Sequence, residues 1–186
     1  MRIMVNESEP DPQNERSDRI KNQIAAGSLI FDETSREHRM EGYAAQSGRY
    51  FSVPMVTHVE DNLYQGGCAD GLPLPDGFKH VISLYPWEQY ALPEDCDRDE
   101  IVMYDSVDQT FEELERVADL VIKKLQEGPT LVHCQAGLNR SGLVAARVLM
   151  KLGRTSDEAI SLLREQRSSE VLCNPAFETH LRSLDA

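Results

Sequence analysis

From Val53 onward, short apolar runs alternate with turn signals and with helical periods. Residues 80–85 (HVISLY) form one such run, closed by Pro86, and predict a strand. Residues 101–104 (IVMY) predict a second. Residues 130–134 (TLVHC) follow Gly128-Pro129 and predict a third, buried on both faces. Residues 56–64 predict an antiparallel edge hairpin. Between the second and third strands, Phe111, Leu114, Ala118, Val121 and Leu125 fall on one stripe of a helix. Glu112, Glu113 and Glu115 sit in its first turns, where the helix dipole favours negative charge, and Lys123 and Lys124 sit near its end. Residues 101–134 thus spell strand, helix, strand, with parallel strands and a right-handed crossover.

The next stretch, 142–152 (GLVAARVLMKL), is apolar nearly all round, which predicts a centrally buried helix stopped by Gly153. Within it, Arg147 and Lys151 must snorkel. Thr155-Ser156-Asp157-Glu158 spells a capping box ahead of Ala159, Ile160, Leu162 and Leu163. Asn174-Pro175 pairs a cap residue with proline at the first helical position, opening a last helix to about Leu184. The expected fold is α/β: a small central, mostly parallel sheet flanked by helices. Residues 1–52 differ. The first 19 are polar and proline-containing, a short helix is expected around 20–26, and the remainder is rich in charge and glycine. They are expected to form an N-terminal extension, partly disordered or helical, ahead of the main domain at 53–186.

The 186 residues carry 19 basic and 32 acidic side chains, a net charge of −13. Such a chain repels a phosphate backbone, which disfavours nucleic acid and anionic membrane as partners. A phosphorylated substrate would need a concentrated local positive site. No run of about 18 apolar residues exists, so no membrane span is expected. Met1–Val5 is too short for a secretory core and is followed by polar residues, so a cytoplasmic protein is expected. The four cysteines (Cys68, Cys96, Cys134, Cys173) include no C-x-x-C pair, which argues against a zinc site.

The chemistry concentrates in His133-Cys134-Gln135-Ala136-Gly137-Leu138-Asn139-Arg140-Ser141-Gly142. A buried strand ends at Cys134 and a buried helix starts near Arg140. Ligand sites of parallel sheets lie at the carboxyl ends of strands. A loop of this length running into a helix N-terminus directs successive N–H groups inward, making an anion nest. A cysteine at its base is favoured as the thiolate, the form that attacks. Arg140 can clasp two oxygens of a bound anion through its planar fork. Gly137 permits a left-handed turn with no side chain in the pocket. Ser141 can hydrogen-bond the sulfur as it leaves, or simply cap the helix.

His-Cys-x5-Arg-Ser in this strand–loop–helix context resembles the signature of the protein tyrosine phosphatase superfamily, and the chain is similar to its dual-specificity branch over about residues 56–184. The resemblance implies a two-step phosphoryl transfer with no metal or cofactor. Cys134 would form a phosphocysteine, and Gln135, Ala136, Gly137, Leu138, Asn139 and Arg140 would bind the phosphate. An aspartate after the strand preceding the helix would act as acid and then as base. Asp105 matches best, and Asp108 is its rival. His133 would orient the loop and support the thiolate. The implied substrate is phosphotyrosine, with phosphoserine and phosphothreonine also in reach. Asn139 departs from the serine common before the arginine and is similar to the loop of RNA 5′-triphosphatases. An RNA 5′-triphosphatase, a small phosphometabolite phosphatase and a phosphopeptide-binding pseudophosphatase therefore stay open as alternatives. Two further readings are left open. Cys68 or Cys173 could pair with Cys134 on oxidation or simply pack, and Trp87-Glu88-Gln89-Tyr90 could line the cleft or form a surface loop.

Overall fold

The computed structural model describes residues 39–92 and 94–185. Strands β1 (Arg39–Tyr43) and β2 (Tyr50–Pro54) form a separate antiparallel pair. Five further strands make the central sheet: β3 (Val56–Glu60), β4 (Leu63–Gly66), β5 (His80–Ser83), β6 (Asp97–Glu100) and β7 (Thr130–His133). Their spatial order is β3-β4-β7-β5-β6. Only the β3–β4 pairing is antiparallel, so the sheet is mostly parallel, as the alternation of strand and helix patterns requires. The helices are α1 (Glu112–Leu125), α2 (Arg140–Lys151), α3 (Ser156–Gln166) and α4 (Pro175–Ser183).

β7 lies at the centre, between β4 and β5, and all four of its residues are buried. That explains why TLVH shows no polar–apolar alternation. α2 is buried at every position except Arg147 and Lys151. These two do not merely snorkel. Arg147 and Lys151 both reach Glu115 on α1, at 2.5 and 3.1 Å. The Arg147 hydrogen bond, helped by Lys151, holds the Glu115 carboxyl down at about 2. Thr155 caps α3 with both halves of the capping box, and Asn174 caps α4 with Pro175 behind it.

Three expectations need correction. The second strand is 97–100 (DRDE), not 101–104. β6 is an edge strand with one neighbour, so it tolerates charge, and hydrophobic patterning could not find it. Residues 101–104 continue beyond the ladder: Ile101 and Met103 are buried, while Val102 and Tyr104 are exposed. Ile101 N still donates to Ser83 O at 2.8 Å. The unit leading into β7 also spans β5, which lies between β6 and β7. Lastly, residues 39–52 are not disordered or helical. They form β1, a turn and most of β2, with Ala44 and Phe51 buried in the core shared by α1 and α2. The helix expected around 20–26 lies outside the described residues. Among the described residues, no helix is long and apolar enough to cross a membrane.

Candidate active site

Gly66 and Ser83 both stand opposite His133 in the sheet, so the carboxyl ends of β4, β5 and β7 meet where the chain leaves β7. Cys134 is the next residue, and it is 2% exposed. Five residues then lead into the N-terminus of α2 at Arg140.

The carbonyls of that loop are all claimed from outside it. Gln135 O accepts from Cys68 N at 3.0 Å. Ala136 O accepts from Arg167 Nη2 at 3.3 Å. Gly137 O accepts from Arg167 Nε at 2.6 Å and from Gln65 Nε2 at 3.0 Å. Leu138 O accepts from Leu172 N at 3.3 Å. A trans peptide sets its C=O and N–H on opposite sides. The N–H groups of Ala136, Gly137, Leu138 and Asn139 therefore turn to the inner side of the loop, an arrangement able to take an anion.

Close approach fixes this path. Gly137 has φ +72°, and a Cβ there would lie 2.4 Å from Gly66 C and 2.5 Å from Arg167 Nη2. A Cβ on Gly67 would lie 2.6 Å from Gln135 O. The two glycines let the end of β4 and the loop pack backbone to backbone.

Arg167, 31 residues past Ala136, was not singled out from the sequence. It also donates to Pro54 O at 3.0 Å and Thr57 Oγ1 at 2.8 Å. Burial pushes its guanidinium down to about 10, with an opposing pull from Cys134, so it stays charged at neutral pH. Gln65 was not singled out either. Its Nε2 donates to Ser141 Oγ at 3.3 Å. The Cys134 thiol and the Ser141 hydroxyl lie 3.5 Å apart. Because Ser141 Oγ accepts from Gln65, its own proton is free to point at an anionic sulfur.

Arg140 is 8% exposed. One terminal nitrogen donates to Met103 O at 3.3 Å, and its Cζ lies 4.8 Å from the centroid of the Tyr85 ring. Its buried Nε has no hydrogen-bond partner among the described residues, which leaves a donor available to an anion.

Asp105 is tied to the loop. Its two carboxylate oxygens accept from Asn139 Nδ2 at 2.9 Å and from Asn174 Nδ2 at 3.0 Å. Asn174 N in turn donates to Asn139 Oδ1 at 3.0 Å. Asn139, which looked like a departure, is the link between cradle and carboxylate. Gln46, in the β1–β2 turn, donates to Asp105 O at 3.2 Å. Asp108 is exposed and is not brought to this cluster.

His133 is buried, and its ring nitrogens meet one main-chain and one side-chain oxygen. Nδ1 faces Cys134 O at 3.2 Å and Nε2 meets the Tyr90 hydroxyl. Burial pushes its imidazole down to about 4, and burial raises Tyr90 to about 12. A neutral ring donating from Nδ1 to Cys134 O and accepting from Tyr90 at Nε2 satisfies both groups. His133 thus bonds the Cys134 peptide oxygen and makes no hydrogen bond to the Cys134 sulfur.

Cys173 Sγ lies 3.4 Å from Asn139 Nδ2. Cys68 is buried, and burial, with a smaller push from Cys134, raises it to about 12. Among the described residues, no cluster of three or more His, Cys, Asp or Glu is placed to hold a metal.

The dual specificity phosphatase catalytic domain family matches residues 75–185. The dual specificity protein phosphatase OPG106 of vaccinia virus (strain Western Reserve) is 31% identical over 144 residues, covering 70% of this chain and 82% of that protein. Among solved structures, human DUSP28 superposes with a TM-score of 0.61 at 18% identity, covering 68% of this chain and 93% of that one. The tyrosine phosphatase OH1 of Orf virus superposes with a TM-score of 0.54 at 20% identity, covering 69% and 85%.

Proposed function

This chain belongs to the dual-specificity phosphatase family, its relative OPG106 is named a dual specificity protein phosphatase, and we propose that this chain hydrolyses phosphoprotein monoesters in two steps through Cys134. The carrying observation is the set of outward-claimed carbonyls from Gln135 to Leu138, which turns four N–H groups inward beside Arg140.

In the first step the Cys134 thiolate attacks phosphorus, and the bond from phosphorus to the ester oxygen breaks. The equatorial oxygens lie on the inward N–H groups and on Arg140, whose fork takes two of them. Asp105 gives its proton to the leaving oxygen. Each of its oxygens accepts one amide hydrogen and keeps a further site, so the carboxyl can carry that proton. In the second step water attacks the phosphocysteine and passes a proton to Asp105. The bond from sulfur to phosphorus breaks, and the Ser141 hydroxyl stabilises the departing sulfur. Gln65 and Arg167 are positioning residues, acting through Ser141 and the loop backbone.

Turnover of a phosphotyrosyl peptide by the full chain tests this. Cys134→Ser should abolish it and vanadate should compete with substrate. Equal turnover in Cys134→Ser would contradict the assignment.

A further inference from the structure

The hairpin of β1 and β2 lies outside residues 75–185, where the family matches, yet its turn reaches the candidate acid. Ala44 and Phe51 flank that turn and are buried in the core, which anchors it. Ala44 O accepts from Ser47 N at 3.2 Å and from Gly48 N at 2.8 Å, and Ala44 N donates to Arg49 O at 2.9 Å, so the turn is closed on itself. Three of its side chains then reach other segments. Gln46 Nε2 donates to Asp105 O at 3.2 Å. Ser47 Oγ donates to Glu170 Oε2 at 2.8 Å, and Arg49 Nε pairs with Glu170 Oε1 at 3.1 Å.

Glu170 is only 5% exposed and lies between α3 and α4. A buried carboxylate is costly unless it is paired. Among the described residues, the partners of this one outside its own segment are Ser47 and Arg49. Glu170 O accepts from Cys173 N at 3.2 Å, and the next residue is Asn174, whose Nδ2 donates to the Asp105 carboxylate at 3.0 Å. The hairpin thus meets Asp105 twice, at its main-chain oxygen through Gln46 and at its carboxylate through Glu170 and Asn174. The residues after Asp105 lie in no helix or strand up to Phe111, and Ser106, Asp108 and Gln109 bond among themselves. Resting on the phosphatase reading above, we infer that the turn of this hairpin is a clasp that holds the acid in place, with Gln46, Ser47 and Glu170 as positioning residues for Asp105. They touch no reacting atom and act on the proton transfer alone, where a displacement of about 1 Å is costly.

The test uses the full chain and two aryl phosphates, phenyl phosphate, whose leaving oxygen needs a proton, and p-nitrophenyl phosphate, whose leaving oxygen needs it little. Gln46→Ala combined with Ser47→Ala should lower kcat/KM about tenfold on phenyl phosphate and less than about twofold on p-nitrophenyl phosphate. Glu170→Gln, which keeps the shape and removes the charge, should shift the ratio of the two substrates in the same direction. In an Asp105→Asn background the hairpin substitutions should cause no further loss on phenyl phosphate, because the group they position is already gone. Equal losses on both substrates, no loss on either, or a further loss in the Asp105→Asn background would overturn the clasp. A wild type that turns over neither substrate would instead overturn the phosphatase reading.

Discussion

Asn139 Nδ2 donates to the Asp105 carboxylate at 2.9 Å, so the loop that follows Cys134 itself holds the candidate acid. Asn174 closes the arrangement from the cap of α4, bonding the other carboxylate oxygen and presenting its N–H to Asn139. Cradle, acid and last helix thus form one hydrogen-bonded unit. A movement of any one is felt by the other two.

Asn139→Ala removes the link and leaves the cradle's backbone in place. Its kcat on a phosphopeptide should fall about tenfold, with KM nearly unchanged. A substrate with a good leaving group, such as p-nitrophenyl phosphate, should feel the change less because it needs little protonation. Steady-state kinetics on both substrates checks this, and equal losses would argue for a general loss of structure.

Asp105→Asn should lower kcat on phosphopeptides by roughly 10²–10⁴-fold, the usual worth of a positioned acid. Asp108→Asn should be nearly silent, because Asp108 is exposed and stands apart from the cluster. The reverse pattern would move the assignment to Asp108.

Arg167→Met takes the side-chain donor from the carbonyls of Ala136 and Pro54 and from the Thr57 hydroxyl, and leaves Gly137 O to Gln65 alone. The expected cost is about 3 kcal/mol, a fall in Tm of about 6–12 °C, together with loss of activity. Arg167→Lys should not rescue it, since a single ammonium cannot span these acceptors. Calorimetry and turnover measured on the same preparation decide the point.

The βα organisation was legible because burial imposes period: TLVH, the α1 stripe and the apolar α2 all follow from which faces meet the core. The cysteine loop was legible because its residues are contiguous. Arg167, Gln65 and Asn174 were not, since each reaches the site only through the fold. A mid-chain glutamine or arginine carries no local sign of a buried backbone partner. β6 was missed because an edge strand of alternating acids and one arginine has no hydrophobic signature.

His133 makes stability depend on pH with a defined sign. Its folded value of about 4 lies below the ordinary 6.5, so between these the unfolded chain binds a proton that the folded chain does not. Stability is therefore complete above about pH 6.5 and is lost as pH falls toward 4. The loss between pH 7 and pH 5 should be ~2 kcal/mol. His80 and His180 are also held low, with burial the leading cause, and act in the same direction. Urea unfolding at the two pH values measures the slope, and His133→Gln should flatten it. A slope that His133→Gln leaves unchanged would assign the effect to the other histidines.

The central claim is that the phosphoryl group passes through Cys134. Full-length Asp105→Asn keeps the nucleophile and the cradle but lacks the base for the second step. Mixed with p-nitrophenyl phosphate, quenched in acid and digested, it should yield the peptide containing Cys134 carrying one phosphoryl group on sulfur, and Cys134→Ser should yield none. Turnover with no label at Cys134, or label on another side chain, would contradict the account.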